Sequence, residues 1–129
     1  MQTRDLGIAV VGSGRIGSLR AQMAAQHPAV KFLAVSDLSA DRAAAVAEKT
    51  GADFSSTDNL AVISRPEVNA VIVSTAEGEH MKPILQAIEL GKPVLVEKPI
   101  ALSVADADRI IEASEKAGVE VRVGYSRRF

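Results

Sequence analysis

The chain has 129 residues, of which 47% are hydrophobic and 24% charged, and its formal net charge is −1 at pH 7. These values are typical of one globular domain and give no support for nucleic-acid binding. The apolar runs have strand length and are too short for a membrane helix, so we expect a cytoplasmic protein that binds neither membrane nor nucleic acid. The sequence has no cysteine, which excludes disulfides and a cysteine nucleophile, and its two histidines lack metal-ligand spacing, so no metal site is expected.

Short β-branched runs alternate with helical patterns along the chain. Strands are predicted at 7–12, 31–37, 52–56, 69–75, 93–98 and 119–125. Helices are predicted at 15–26, 39–51, 58–64, 79–92 and 103–118. In the last strand valines alternate with Glu120 and Arg122, as in an edge strand. Strict alternation of strand and helix predicts a Rossmann-type, doubly wound α/β fold with a six-stranded parallel sheet in the order 3-2-1-4-5-6.

Small polar residues and glycines mark the expected ends of the helices. Ser39 is the predicted N-cap of the second helix and Gly51 its C-terminal stop. Thr57 is the predicted cap of the short third helix. Pro83 fits the first turn of the fourth helix, and Gly91 ends that helix.

The segment VVGSGRIGS places Gly12, Gly14 and Gly17 in a GxGxxG pattern. The pattern follows a strand and opens a helix, which is the context in which it binds a dinucleotide. Gly12 permits the tight turn, Gly14 lets the backbone approach a pyrophosphate, and Gly17 lets the helix pack near the strand. Arg15 and Ile16 cover the turn, and the helix N-terminus offers N–H groups and partial positive charge to the phosphates.

An acidic residue stands at the end of the second predicted strand. Asp37 follows Gly17 by 20 residues, where an acid should meet the hydroxyls of the adenosine ribose. Its carboxylate would repel a 2′-phosphate, which favours NAD over NADP. Arg42 weakens this preference, because an arginine early in the next helix can accept a phosphate. The alternative interpretation is that Asp37 only caps the turn that follows it.

Five segments together resemble a known family: VVGSGRIGS, VSD, AVIVSTAEGEH, GKPVLVEKPIALS and VGYSRRF. They run from end to end of the chain, which resembles the Gfo/Idh/MocA oxidoreductases, a family that includes inositol dehydrogenases. The resemblance implies the NAD-binding domain of an oxidoreductase that transfers hydride between a nicotinamide cofactor and a sugar or polyol alcohol. The alternative is a stand-alone nucleotide-binding or redox-sensing module without catalysis, against which the retained EKP motif argues.

The resemblance also implies roles for single residues at the ends of the fourth and fifth strands. Thr75 would line the nicotinamide side of the cofactor cleft, and Glu97 would contact the nicotinamide ribose. Lys98 would contact the cofactor and act as the catalytic residue by sharing in proton transfer. The Lys98–Pro99 peptide resembles the family's cis bond, which would turn the lysine inward. The competing interpretation is a solvated surface lysine.

One segment departs from the family pattern, which reads T-P-N-x-x-H. This chain matches it at Thr75 and His80, but Ala76 and Glu77 replace the proline and the asparagine. The cofactor contact expected from the asparagine is therefore in doubt. His80 either contacts the cofactor or packs and caps locally at the helix start. His27 is expected in a surface loop.

Tyr125, Arg127 and Arg128 follow the last strand. In the family this segment borders the active site, so these residues would contact substrate unless they are frayed. Family members are more than twice as long, and their second domain supplies most substrate contacts. We therefore expect residues 1–124 to form the dinucleotide-binding domain and 125–129 to begin the connection to a substrate domain. We also expect this chain alone to be inactive, and it would self-associate through the surface that such a domain covers.

Overall fold

The computed structural model describes residues 6–12, 15–74, 81–97 and 104–124, with the backbone alone at positions 15, 16, 97, 106, 123 and 124. The strands are β1 Leu6–Val11, β2 Val30–Ser36, β3 Phe54–Ser56, β4 Ala70–Val73, β5 Val94–Glu97 and β6 Val121–Gly124. The helices are α1 Arg15–Gln26, α2 Ala40–Thr50, α3 Asn59–Ile63, α4 Met81–Glu89 and α5 Val104–Ala117. Within these described ranges, none of the helices is long and apolar enough to cross a membrane.

The six strands form one parallel sheet in the order β3-β2-β1-β4-β5-β6. The predicted fold class and strand order are therefore confirmed. The chain adds strands outward from β1 to β3 on one side and then from β4 to β6 on the other. This reversal between β1 and β4 opens a crevice at the carboxyl edge of the sheet, which is where such sheets bind ligands.

The central strand β1 is buried on both faces of the sheet. Val10 is fully buried in a cluster with Ala21 of α1 and Val46 of α2. Val11 is fully buried in a second cluster with Ile84 of α4. Because helices cover both faces, β1 needs apolar residues at successive positions, and this explains its unbroken apolar run.

Both caps of α2 were predicted correctly, and the N-cap of α3 was not. Ser39 caps α2 by accepting a hydrogen bond from the backbone of its first turn, and Gly51 ends the helix in the left-handed conformation, both as predicted. The predicted cap at Thr57 is wrong by one residue, since Asp58 caps α3 and its carboxylate accepts from the Leu60 N–H at 3.0 Å. A carboxylate at this position satisfies an orphan N–H and also faces the positive end of the helix.

Lys92 ties α3 to the opposite, amino edge of the sheet, just before β5. Its Nζ donates to the carbonyl oxygens of Ile63 at 2.6 Å and Arg65 at 3.0 Å, at the end of α3. Its backbone N–H donates to the Ala87 carbonyl at 2.9 Å, so α4 ends before the predicted boundary. Burial lowers the pKa of Lys92 from its ordinary value of 10.5.

Candidate functional site

Three strand ends are held side by side at the carboxyl edge of the sheet. The Gly12 N–H donates to the carbonyl of Ser36 at the end of β2, at 2.8 Å. The Ser74 N–H, directly after β4, donates to the carbonyl of Val11 at 2.7 Å. The turn that follows β1 therefore lies between the ends of β2 and β4, at the point where the strand order reverses.

Two glycines allow α1 to begin against the end of β1. Gly12 is buried and has φ of 100°, in the left-handed region that favours glycine. A Cβ built on Gly17 would lie 1.8 Å from the Gly12 carbonyl oxygen, so only glycine fits there. The close helix–strand packing predicted for Gly17 is present. The first turn of α1, from Arg15, therefore starts at the crevice, and the first N–H groups of a helix, which have no partner within the helix, favour anions.

Asp37 follows β2 on the same edge, and its side chain is only 9% exposed. Its Oδ2 accepts from the Ser39 N–H at 2.8 Å and from Arg42 Nε at 2.9 Å. Arg42 Nη2 lies 2.8 Å from the same oxygen. The turn-capping role considered for Asp37 is therefore real, and it fixes the carboxylate of the residue that follows Ser36, whose carbonyl accepts from Gly12.

A second set of hydrogen bonds fixes the backbone around Asp37. The Asp37 N–H donates to the Ser56 carbonyl of β3 at 3.3 Å. Ser36 is fully buried, and its hydroxyl donates to Asn59 Oδ1 at 2.8 Å, which joins the end of β2 to the first residue of α3. Neither Ser36 nor Asn59 was predicted as a site residue. A small polar residue ending an apolar strand was the only signal for Ser36, and Asn59 gave none.

A cavity of about 610 Å³ opens beside this acid, between the turn after β2 and the starts of α3 and α4. Ten residues line it: Leu38, Thr57, Asp58, Asn59, Leu60, Met81, Lys82, Pro83, Leu85 and Gln86. Leu38 is 67% exposed and Leu60 41% exposed, so two leucines show apolar surface around the opening. Half of the lining residues are apolar and half are polar or charged, a mixture that suits an organic ligand with both kinds of group.

Ser74 lies at the base of the crevice and was not predicted as a site residue. Its Oγ is buried and has no hydrogen-bond partner in the described part of the chain. Its Cβ lies 3.5 Å from a Cβ built on Gly17, which places the hydroxyl beside the glycine turn. An unpaired buried hydroxyl is rare and often marks a place for a water or a ligand group.

Other predicted site residues cannot be placed. Gly14, Thr75, His80, Lys98, Tyr125, Arg127 and Arg128 lie outside the described residues, as do Ala76 and Glu77. Glu97 ends β5 on the carboxyl edge, but its side chain, like those of Arg15 and Ile16, lies outside the described part. The described part of the predicted site therefore consists of Gly12, Gly17, Asp37 and the cavity. His27 is exposed as predicted, and its Nδ1 accepts from the Ala29 N–H at 3.1 Å.

Comparison with known proteins gives a family match over almost all of the chain. A family model described as an oxidoreductase family with an NAD-binding Rossmann fold matches residues 6–125. Myo-inositol 2-dehydrogenase of Thermotoga maritima is 35% identical over 122 residues, which are 95% of this chain and 36% of that protein. Inositol 2-dehydrogenase of Gluconacetobacter diazotrophicus is 37% identical over 127 residues, which are 96% of this chain and 38% of that protein.

A solved structure shows the same arrangement of strands and helices. GenD2 from gentamicin A biosynthesis, in complex with NAD, superposes with a TM-score of 0.87 at 30% identity. The match covers 96% of this chain and 36% of that one. The chain thus spans little more than a third of the length of each of these relatives.

Proposed function

The chain belongs to the Gfo/Idh/MocA family of oxidoreductases, and on this premise we propose that its crevice binds NAD for hydride transfer to or from a sugar or polyol alcohol. The chain is the NAD-binding Rossmann domain of this family. The observation that carries the proposal is the meeting of the glycine turn, the start of α1 and the Asp37 carboxylate at one edge of the sheet. A stand-alone nucleotide-binding module would share these features, and the enzyme is preferred because the chain retains the sequence Glu97-Lys98-Pro99.

The crevice offers a separate place for each part of the cofactor. The pyrophosphate would lie on the N–H groups at the start of α1, close to Gly12 and Gly17. The adenosine ribose would donate its hydroxyls to the Asp37 carboxylate. The adenine would enter the cavity against Leu38, which accounts for an exposed leucine directly after the acid. The residues present therefore fit the cofactor.

The preference for NAD rests on the charge of Asp37. A carboxylate accepts hydrogen bonds from ribose hydroxyls and repels the 2′-phosphate of NADP. When bound, NAD supplies a nicotinamide ring that can accept a hydride. Ser74 would donate its otherwise unpaired hydroxyl to the cofactor or to a water beside it.

The reactive end of the site is proposed from the family resemblance. Lys98, following β5, would take the proton of the alcohol as the hydride leaves, and Glu97 would bind the nicotinamide ribose. Thr75 would line the nicotinamide, and His80 would contact the cofactor near the start of α4. A sugar or polyol substrate is favoured because the two relatives described above are named as inositol dehydrogenases.

The assignment of chain segments to a cofactor domain and a substrate domain is also a proposal. Residues 1–124 would bind the cofactor, and 125–129 would begin the connection to a substrate domain, with Tyr125, Arg127 and Arg128 near the substrate. The support is that this chain covers only 36% and 38% of the two inositol dehydrogenases, so most of each relative lies outside the matched part. Without such a domain, 129 residues would bind cofactor but not turn over substrate.

The reaction can be tested with the product of the complete open reading frame that contains this sequence. It is assayed for NADH formation with NAD and a panel of inositols, sugars and linear polyols. We expect turnover of at least one of them, with kcat about a hundredfold lower in Lys98→Met because a general base contributes roughly that factor or more. Lys116→Met, an exposed lysine of α5, is the matched control and should be fully active. Binding of NAD without NADH formation from any alcohol would contradict the proposed reaction.

A further inference from the structure

The outer edge of β6, the last strand of the sheet, is a surface that the proposed nucleotide site does not use. β6 pairs with β5 on one side, and no strand in the described part of the chain pairs with its other side. An open edge presents backbone N–H and C=O groups that can pair with a strand of another molecule. We propose that this edge pairs antiparallel with β6 of a second copy of the chain, which joins the two sheets into one.

The hydrogen bonds between β5 and β6 fix which backbone groups of β6 point outward. The Val94 N–H of β5 donates to the Glu120 carbonyl at 3.0 Å, so this carbonyl faces β5. Because the backbone groups of successive residues in a strand point to opposite sides, the N–H and C=O of Val121 face the open edge. In a two-fold symmetric antiparallel pair, the Val121 residues of the two copies can therefore face each other and exchange both hydrogen bonds.

The charged side chains beside Val121 favour this register. Glu120 and Arg122 flank the valine, and their side chains are 60% and 74% exposed. With the two Val121 residues opposite each other, each Glu120 lies opposite Arg122 of the other copy, in the kind of pair that brings side chains closest. A symmetry axis at Arg122 would instead place two arginines opposite each other, which is unfavourable. The edge is therefore complementary in charge to itself.

Helix α5 adds apolar surface along the same edge. Its Ile110 is fully buried in the cluster against which Val121 packs, so α5 covers the face of the sheet that carries this valine. Ile111 is 49% exposed and Val104 is 78% exposed, and a spacing of seven residues places them on one flank of the helix. Ala113, on the groove that α5 forms with α4, lies about 200° around the helix from Ile111. The exposed flank therefore faces away from α4, toward the outer edge of the sheet.

The spacing of strands and helices allows this flank to meet its counterpart. Neighbouring strands lie about 4.8 Å apart. Since α5 connects β5 to β6, the α5 helices of two copies joined at β6 would be roughly 10 Å apart, a distance at which helices pack. Ile111 and Val104 would then be covered by the second copy. Because β6 has only four residues, the interface is small and we expect a dissociation constant in the micromolar range.

Sedimentation equilibrium of the chain over about 10 to 500 μM tests this proposal. Wild type should pass from monomer to dimer as its concentration rises. Glu120→Arg and Arg122→Glu each place like charges opposite each other at two symmetric contacts, so each should weaken the dimer by about tenfold or more. The double variant Glu120→Arg with Arg122→Glu exchanges the two charges and should restore dimerisation to within about threefold of wild type.

The contribution of α5 is tested by Ile111→Gln, which keeps a good helix former but removes the apolar group. We expect a dimer weaker by about tenfold, because the side chain would be buried only in the dimer. Leu90→Gln is the matched control, since Leu90 is also an exposed apolar residue, at 45%, and lies just after α4, away from β6. It should leave the dissociation constant of the dimer unchanged.

Three results would overturn the proposal. One is wild type that stays monomeric at the highest concentration. Another is a dimer that both single charge reversals, folded by circular dichroism, leave at wild-type strength, because the contact would then lie elsewhere on the molecule. The third is a double variant as weak as the single reversals, since Glu120 and Arg122 would then not pair between copies.

Discussion

At the scale of single residues, the Asp37 carboxylate fixes the turn into α2 and is also proposed to bind the adenosine ribose. It holds the turn into α2 through the Ser39 N–H and pairs with Arg42, and it stands beside the glycine turn. The capping and the ribose-binding interpretations of this acid are therefore compatible. A carboxylate already fixed by hydrogen bonds is preorganised for a ligand, because it loses little freedom on binding.

Asp37→Asn separates these tasks, since an amide oxygen can still accept from the Ser39 N–H but carries no charge. We expect NAD binding to weaken by about tenfold or more, because hydrogen bonds to a charged acceptor are worth about 1.5–3 kcal/mol. Calorimetry measures the change, and Asp41→Asn, an exposed acid in the first turn of α2, is the control. Unaltered NAD affinity in folded Asp37→Asn would show that the acid does not bind the ribose.

The sequence predicted Asp37 from its spacing alone but not the partners that position it. The spacing works because strand, helix and turn lengths in this unit are nearly fixed. From the sequence, Arg42 is only a residue that could bind a phosphate, since nothing in the sequence shows that its side chain folds back onto Asp37. Asn59 reaches Ser36 across 23 positions, a contact that depends on the packing of α3 against β2.

At the scale of elements, the close approach of α1 to β1 decides the shape of the crevice. Gly17→Ala would insert a methyl 1.8 Å from the Gly12 carbonyl oxygen, so α1 must shift. We expect a loss of about 1–3 kcal/mol in the free energy of unfolding, as for other overpacked sites. Urea denaturation measures it, and Ser18→Ala at the next position of the same helix should cost far less. A Gly17→Ala chain as stable as wild type would contradict this packing.

At the amino edge of the sheet, Lys92 donates to the carbonyl of Ile63, the last residue of α3, and to that of Arg65 just beyond it. Lys92→Met keeps most of the apolar stem but leaves the Ile63 and Arg65 carbonyls without this donor. We expect a destabilisation of about 1–3 kcal/mol, the usual cost of removing one partner from a buried polar group. Thermal and urea unfolding test it against Lys31→Met, an exposed lysine of β2 that should be nearly neutral. Equal stabilities for the two variants would exclude the proposed role of Lys92.

Helix caps show where prediction of elements fails. Ser39 and Gly51 were predicted because each is the best cap near a clear change of pattern. At α3, Thr57 and Asp58 are adjacent and both favour capping, and only the backbone conformation decides between them. A short helix offers too few turns for the apolar period to fix its first residue.

At the scale of the whole molecule, strand order was predictable because alternation of strand and helix leaves few right-handed arrangements. The catalytic end of the proposed site, by contrast, could not be predicted from the order of the elements. The roles proposed for Lys98 and for the residues after Gly124 depend on groups that, by the resemblance, another domain supplies, so these roles do not follow from this sheet alone. The cavity beside Asp37 could not be predicted either, since it forms between α3 and α4.

The most direct test of the account is a titration of NAD into the isotope-labelled chain, followed by amide chemical shifts. We predict saturable shifts at Gly12, Gly17, Asp37 and Leu38, with no change at Arg122 on β6. This pattern would place the nucleotide on the carboxyl edge between β1 and β2. Absence of shifts at high NAD, or shifts confined to the groove between α4 and α5 that Ile88 and Lys116 line, would contradict the assignment of this crevice as the cofactor site.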